Sequence, residues 1–333
     1  MWRNRQLLAL FFALLVVNAG FGVIVPVLPY FALNVGAQPF HIGILLSAYS
    51  LMQFVTAPLW GRLSDRIGRK PVLVAGMIGL CITSAAMSFA SALWMMVLIR
   101  VLGGLAAAAV QPTSLAYVGD TTSVAERGQA MGFVSAGMGI GFIIGPALGG
   151  ALAPFGLAMP FIAAAILSLM SALVAFVFLH EPAARVTPQP RAVAMPVATS
   201  AWLSPLGLAV GLSFLVSLAD ANRQGTLALY AKDVFHFGGA EMGLIFMLMG
   251  ISYVALQMLL VGPLIDRLGE RRMMLVGLPL SAAGFILVLT SWDLFSLSAA
   301  IALQGAGMAF TYTSIPTLIS KEARGGQGMA MGL

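Results

Sequence analysis

The sequence predicts an all-α integral membrane protein. Three observations carry that reading. Only 17 Lys and Arg and 11 Asp and Glu occur among 333 residues, 8% of the chain, where a soluble domain carries about a quarter. Apolar residues make up 60%, too many for a soluble fold of this length to enclose behind so few charges. They are gathered in runs of the about 20 residues that a helix needs to cross a bilayer.

Ten such runs lie near 7–33, 41–61, 71–91, 93–118, 128–153, 157–179, 204–230, 241–264, 273–291 and 294–319. The first begins like a secretory signal, "MWRNRQLLALFFALLVVNA". Its apolar run continues through Pro26 and Pro29 to Ala32, which favours a retained span. The net charge of +6 does not indicate nucleic acid, because the basic residues sit in short loops and form no clustered face. Cys81 is the single cysteine, and His41, His180 and His236 are scattered. No disulfide framework, metal site or cofactor is expected.

Short loops set the orientation through Lys and Arg. With the N-terminus in the cytoplasm, 14 of the 17 basic residues fall in cytoplasmic segments, the exceptions being Arg100, Arg223 and Lys232. The expected location is the cell (inner) membrane.

The longest polar connector, "HEPAARVTPQPRAVAMPVATSAW", holds four prolines and two arginines, the composition of a linker. It divides the chain into a six-helix half, 1–180, a cytoplasmic linker, 181–203, and a second half, 204–333. The second half repeats the first. "GRLSDRIGRKPVLVAG" (61–76) matches "GPLIDRLGERRMMLVG" (262–277), with Gly61/Gly262, Asp65/Asp266, Arg66/Arg267 and Gly68/Gly269 in register. "AERGQAMGF" (125–133) recurs loosely as "EARGGQGMAMGL" (322–333). By that register, 326–333 begin an eleventh span, so the expectation is about 10 of 12 spans, with the second repeat truncated.

Four stretches carry chemistry. In 61–71, Gly61 and Gly68 permit tight turns or close approach, and Asp65 lies among Arg62, Arg66, Arg69 and Lys70, with which it can pair. In span 5, Gly137, Gly141, Gly145 and Gly149 recur every four residues. They form one stripe that lets a second helix approach backbone to backbone, and Pro146 can kink it. In span 4, Arg100 is a charge at membrane depth, a functional site by default or a structural Arg bonded to carbonyls. Gln111, eleven residues on, falls on the same face of an unbroken helix. In span 7, Asp220 and Arg223 are three apart and can pair.

These stretches resemble the major facilitator superfamily, whose layout is two parallel six-span repeats. "GRLSDRIGRKPVL" fits the loop signature G-x-L-x-D-R-x-G-R-K-x-x-L at every defined position. "GFIIGPALGG" (141–150), ending in Gly149 and Gly150, fits G-x-x-x-G-P-x-x-G-G, the antiporter signature. "RVLGGLAAA" (100–108) is similar to the span 4 signature, and "NAGFGVIVPVLPYF" (18–31) looks like span 1 of drug:proton antiporters of the multidrug, quinolone and tetracycline type.

The resemblance implies proton-coupled efflux of amphipathic small molecules by alternating access, with no chemical transformation and hence no enzyme activity. It implies a conformational latch at Gly61, Asp65, Arg66, Gly68, Arg69 and Lys70, meeting span 11. It implies proton coupling through Arg100 and a span 7 acid. That acid position falls at Gln224, which cannot titrate. Asp220, one turn earlier, becomes the first carboxylate candidate, beside Arg223, with Asp120 a weaker one read as a solvated helix end. The span 10 acid position falls near Tyr312, again without a carboxylate. A largely apolar cavity places Asn18, Phe21, Gln53, Gln111, Phe142, Gln224, Tyr253, Gln257, Gln304 and Tyr312 among its lining residues. The partners are substrate, protons and the lipid bilayer; the chain is expected to be monomeric. A sugar or metabolite carrier, or a non-transporting membrane remnant, are the alternatives. No P-loop pattern occurs, which argues against ATP drive.

Overall fold

A computed structural model describes residues 5–182, 205–256, 264 and 267–322. Every regular element among them is helical. The helices are α1 (Arg5–Ile24), α2 (Leu28–Asn34), α3 (Pro39–Ile67), α4 (Arg69–Ser88), α5 (Leu93–Ala107), α6 (Gln111–Thr121), α7 (Val124–Leu152), α8 (Met159–Phe178), α9 (Pro205–Phe235), α10 (Gly239–Leu256), α11 (Glu270–Leu289) and α12 (Leu294–Glu322), with a 3-10 turn at Ala153–Phe155. Among the described residues, nine helical segments are long and apolar enough to cross a membrane. The seventh expected span, 204–230, coincides with α9, a continuous helix of 31 residues.

Three boundaries differ from the sequence expectation. The first span breaks after Ile24 and resumes at Leu28. Pro26 lacks a donor and disfavours helix in the residue before it, while Pro29 sits in the first turn of α2, where its missing N–H costs nothing. The fourth span is interrupted at residues 108–110, where the bonds tighten to i→i+3: Ala109 N–H donates to Ala106 at 3.2 Å and Val110 N–H to Ala107 at 3.0 Å. The stretch expected to be a loop, 61–71, is almost wholly helix. α3 runs through Ile67, and Gly68 alone separates it from α4. Gly68 adopts φ 111°, a conformation that only glycine takes without strain.

The chain forms two compact units, Met1–Thr187 with Ala228–Met247, and Pro188–Leu227 with Leu248–Leu333. In the first, α1 packs between α7 and α8, α4 between α5 and α8, and α3 on α5. Leu10, Leu14, Leu73, Met77, Tyr117 and Leu179 form one fully enclosed cluster; Leu28, Ile42, Leu45, Met96 and Phe161 form another. Polar ties fix the helix pairs. The Ser171 hydroxyl donates to the Ala13 carbonyl at 2.5 Å, and Trp60 Nε1–H to the Leu105 carbonyl at 2.7 Å. In the second unit α11 packs on α12, and Met273, Ala309 and Phe310 form its core with Tyr253 packed against them.

The internal repeat is visible in backbone geometry. Gly68 precedes α4 with φ 111°, and Gly269 precedes α11 with φ 78°. Gly76 faces the Ala106 carbonyl, 3.0 Å from where a Cβ would lie; its counterpart Gly277 faces the Gly307 carbonyl at 2.8 Å. Gly61 to Gly262, Gly76 to Gly277 and Ala106 to Gly307 share one offset, 201 residues. The two repeats therefore use the same glycine-mediated helix contact.

Candidate functional site

The charge-rich stretch is organised around Arg69. Its guanidinium meets Asp65 at 2.7 Å and Asp120 at 2.9 Å, and donates to the Ser64 hydroxyl at 2.6 Å. The Asp65 side chain is 51% exposed, so that pair contributes little. The Asp120 side chain is 18% exposed; it is a partner of Arg69, not the solvated helix end expected from sequence. The Glu181 carboxylate then accepts from the backbone N–H groups of Arg69 at 2.6 Å and Lys70 at 3.0 Å. It caps the first turn of α4, where a negative charge is favoured. Tyr117, fully buried in α6, donates to the His180 carbonyl at 2.8 Å and so holds Glu181 in place.

A Cβ on Gly68 would lie 2.6 Å from the Glu181 carboxyl carbon. Gly68 is thus required twice, for its φ and for this approach. Gly61 differs: a Cβ there meets no described atom within 4 Å, so the expected close approach belongs to Gly68 alone. Arg66 and Lys70 flank the network, and the Lys70 ammonium lies 5.1 Å from the Phe176 ring centre. Replacing Glu181 by Ala is expected to cost about 1–2 kcal/mol, the size of a lost helix cap. Thermal unfolding of the purified chain checks it; an unchanged midpoint would contradict the capping role.

The second feature is a seam between α1 and α7. A Cβ on Gly137 would lie 2.8 Å from the Phe11 carbonyl oxygen, and one on Gly145 2.5 Å from that of Ala19. Gly141 faces the Leu15 carbonyl and Gly149 that of Val23 more closely still. Four glycines spaced by four meet four carbonyls spaced by four. Gly150 turns to α10, with the Gly243 Cα 2.7 Å from a notional Cβ. Pro146 lies within α7, which continues through it.

Arg100 is third. It is 7% exposed, inside the first unit, with its guanidinium carbon 5.3 Å from the Tyr49 ring centre. Among the described residues no backbone carbonyl accepts from it, so the carbonyl-bonded alternative is corrected: the shown partner is an aromatic face. Gln111 is exposed. The helix break at 108–110 ends the register that put Gln111 on the Arg100 face. Gly104 packs directly against the Tyr49 carbonyl, bringing α3 close enough for that ring to reach Arg100. Phe21 lies 5.6 Å from Tyr49 and 5.8 Å from Phe142, centre to centre, making an aromatic row across α3, α1 and α7. Asn18 is partly buried, its amide donating back to the Leu14 carbonyl at 2.8 Å, and Gln53 is half-buried in α3.

In the second unit, the Arg223 Nη2 and Nε donate to Asp220 Oδ1 at 2.7 and 3.1 Å, the pair expected from their spacing. Asp220 is the sixteenth of the 31 residues of α9, close to its middle. Gln304 is 1% exposed, and its backbone faces Gly284. Gln224 and Tyr312 lie within α9 and α12, with side chains outside the described set; Gln257 lies outside the described residues altogether. Glu181 was missed by the sequence reading. It stands 112 residues from Arg69 at the edge of a polar linker, and its signal was only a carboxylate closing an apolar run.

Apolar helices in a repeated bundle, with charges confined to helix ends and a few buried sites, define a multi-pass membrane transporter. The family model of the Major Facilitator Superfamily matches residues 10–218 and 209–333, and the chain belongs to that superfamily. It is 33% identical to the "Tetracycline resistance protein, class G" of Vibrio anguillarum over 326 residues, covering 94% of this chain and 83% of that protein. It is 30% identical to "Multidrug resistance protein 2" of Bacillus subtilis (strain 168), covering 92% and 84%. The crystal structure of the nucleoside transporter NupG shares the fold, with TM-score 0.77 at 17% identity over 99% of this chain and 85% of that one.

Proposed function

We propose that this protein exports amphipathic small molecules across the cell membrane in exchange for protons. The observation that carries the reading is the α1–α7 seam, in which every glycine of the antiporter signature's stripe meets a carbonyl of the facing helix. Such a contact leaves no room for side chains or water between the helices, so it limits leak while the bundle rocks. The drug-resistance relatives at 30% and 33% identity supply the substrate class.

In this reading the N-terminus and the Arg69 network lie on the cytoplasmic side, and residues 1–180 and 204–333 are the two rocking halves joined by 181–203. Gly61, Asp65, Arg66, Gly68, Arg69 and Lys70 form the latch. Asp220 carries the proton, with Arg223 and Arg100 tuning the cavity charge. Asn18, Phe21, Gln53, Gln111, Phe142, Gln224, Tyr253, Gln257, Gln304 and Tyr312 contribute to the substrate path. The protein works as a monomer in the lipid bilayer and transforms nothing chemically.

Efflux of a fluorescent dye from loaded cells tests the reading. Expression of the chain is expected to speed efflux, and a protonophore to remove the gain. An efflux rate unchanged by the protonophore would exclude antiport and favour a carrier for a sugar or metabolite.

A further inference from the structure

The Arg100 site raises a charge question. Within residues 7–60, 71–119 and 128–178, the bulk of the first six spans, Arg100 is the single Asp, Glu, Lys or Arg. Asp65 and Asp120 are committed to Arg69. No described carboxylate lies within ion-pair range of Arg100, and its Nε has no hydrogen-bond partner among the described residues. The Tyr49 ring attracts a cation, but it offsets only a small part of the cost of a charge held away from water.

Arg100 lines a partly open cavity of about 40 Å³ between α1, α3, α4, α5 and α8. A water needs about 10–15 Å³ of such space, so the cavity has room for an ion with part of its hydration shell. Its polar lining residues are Arg100, Tyr49, Thr83, Ser84 and Ser168. Thr83 donates to the Gly79 carbonyl at 2.8 Å. The Ser84 and Ser168 side chains are 8% and 3% exposed. The rest is apolar: Val17, Phe21, Leu80, Met87, Ile99 and Phe161 among others. One permanent cation and the hydroxyls of Tyr49, Ser84 and Ser168, without a carboxylate, form an anion site in character.

We propose that the cavity inside the first six spans binds a small monovalent anion, held by Arg100 and the hydroxyls of Ser168 and Ser84. A single guanidinium neutralises one negative charge; a divalent anion would leave an uncompensated charge among mostly apolar side chains. The anion comes either from solution, as a halide, or as the carboxylate of an organic molecule. The proposal concerns a site within one half of the protein and does not rest on the transport reading.

Thermal unfolding of the purified full chain in detergent tests it, with bromide titrated against sulfate, the divalent anion the site disfavours, at constant ionic strength. Binding to the folded state raises the midpoint saturably. The expected result is such a rise for bromide, lost in Arg100→Gln and shifted about tenfold to higher concentration in Ser168→Ala, as for one lost hydrogen bond to a charged group. Anomalous scattering from bromide-soaked crystals covers the case in which Arg100→Gln fails to fold; a peak within hydrogen-bond reach of the guanidinium is expected. Benzoate in place of bromide distinguishes the sources: a saturable shift with benzoate alone assigns the site to an organic carboxylate. The proposal is overturned if neither probe gives a saturable shift, or if the shift is equal in Arg100→Gln; where bromide does shift the midpoint, the absence of an anomalous peak in the cavity also overturns it.

Discussion

Gly141→Val is expected to abolish transport and to cost stability at or above the upper end of the 1–3 kcal/mol typical of overpacked cores. The reason is geometric. A Cβ at this position runs into the Leu15 carbonyl and lies 2.9 Å from the Ala19 nitrogen. Both are backbone atoms, so no rotamer change relieves the clash; α1 must move away from α7. The Phe21–Phe142 contact and the Asn18 side chain beside Gly141 move with it. Gly139 is the internal control, because a Cβ there meets no described atom within 4 Å. Gly139→Ala should retain transport and even gain slightly from better helix propensity. Dye efflux and thermal unfolding on both variants check the pair. Equal behaviour of the two would contradict the seam.

Asp220→Asn is expected to lower proton-driven efflux at least about tenfold while leaving downhill substrate exchange in place. Asn keeps the size and an acceptor oxygen for Arg223, so the 2.7 Å contact can persist as a neutral hydrogen bond, but the side chain no longer carries a proton. A purely structural ion pair behaves differently: its disruption lowers stability and reduces both transport modes together. Counterflow measured without a pH gradient, beside gradient-driven uptake, separates the outcomes. Equal loss in both modes would make Asp220 a structural partner of Arg223 and move the proton elsewhere.

Much of this was legible in the sequence, for identifiable reasons. Membrane helices announce themselves by composition, and the span starts were close for α4, α5 and α8. The glycine stripe was legible because its period of four is a property of one helix. Its partner, α1, was not, since nothing local specifies which helix a bare face meets. The internal repeat at 61–76 and 262–277 predicted that Gly68 and Gly269 would be equivalent, and both take positive φ before their helices.

The failures share a cause as well. Gln111 was assigned the Arg100 face on the assumption of an unbroken helix. "GGLAAAAVQP" contains no strong breaker before Pro112, yet the turn at 108–110 separates α5 from α6 and breaks their common register. Glu181 and Asp120 lie far in sequence from Arg69, and long-range pairing of charges leaves no periodicity. Tyr49, the aromatic partner of Arg100, is one tyrosine in an apolar run; only the close Gly104 contact brings it there.

The central claim, proton antiport, is tested most directly by purified protein in sealed liposomes with an acidic lumen and a fluorescent cationic dye outside. As protons leave, dye should accumulate inside against its gradient, and a protonophore added at the plateau should release it. Dye equilibration at the same rate and to the same level with and without the pH gradient would contradict the account.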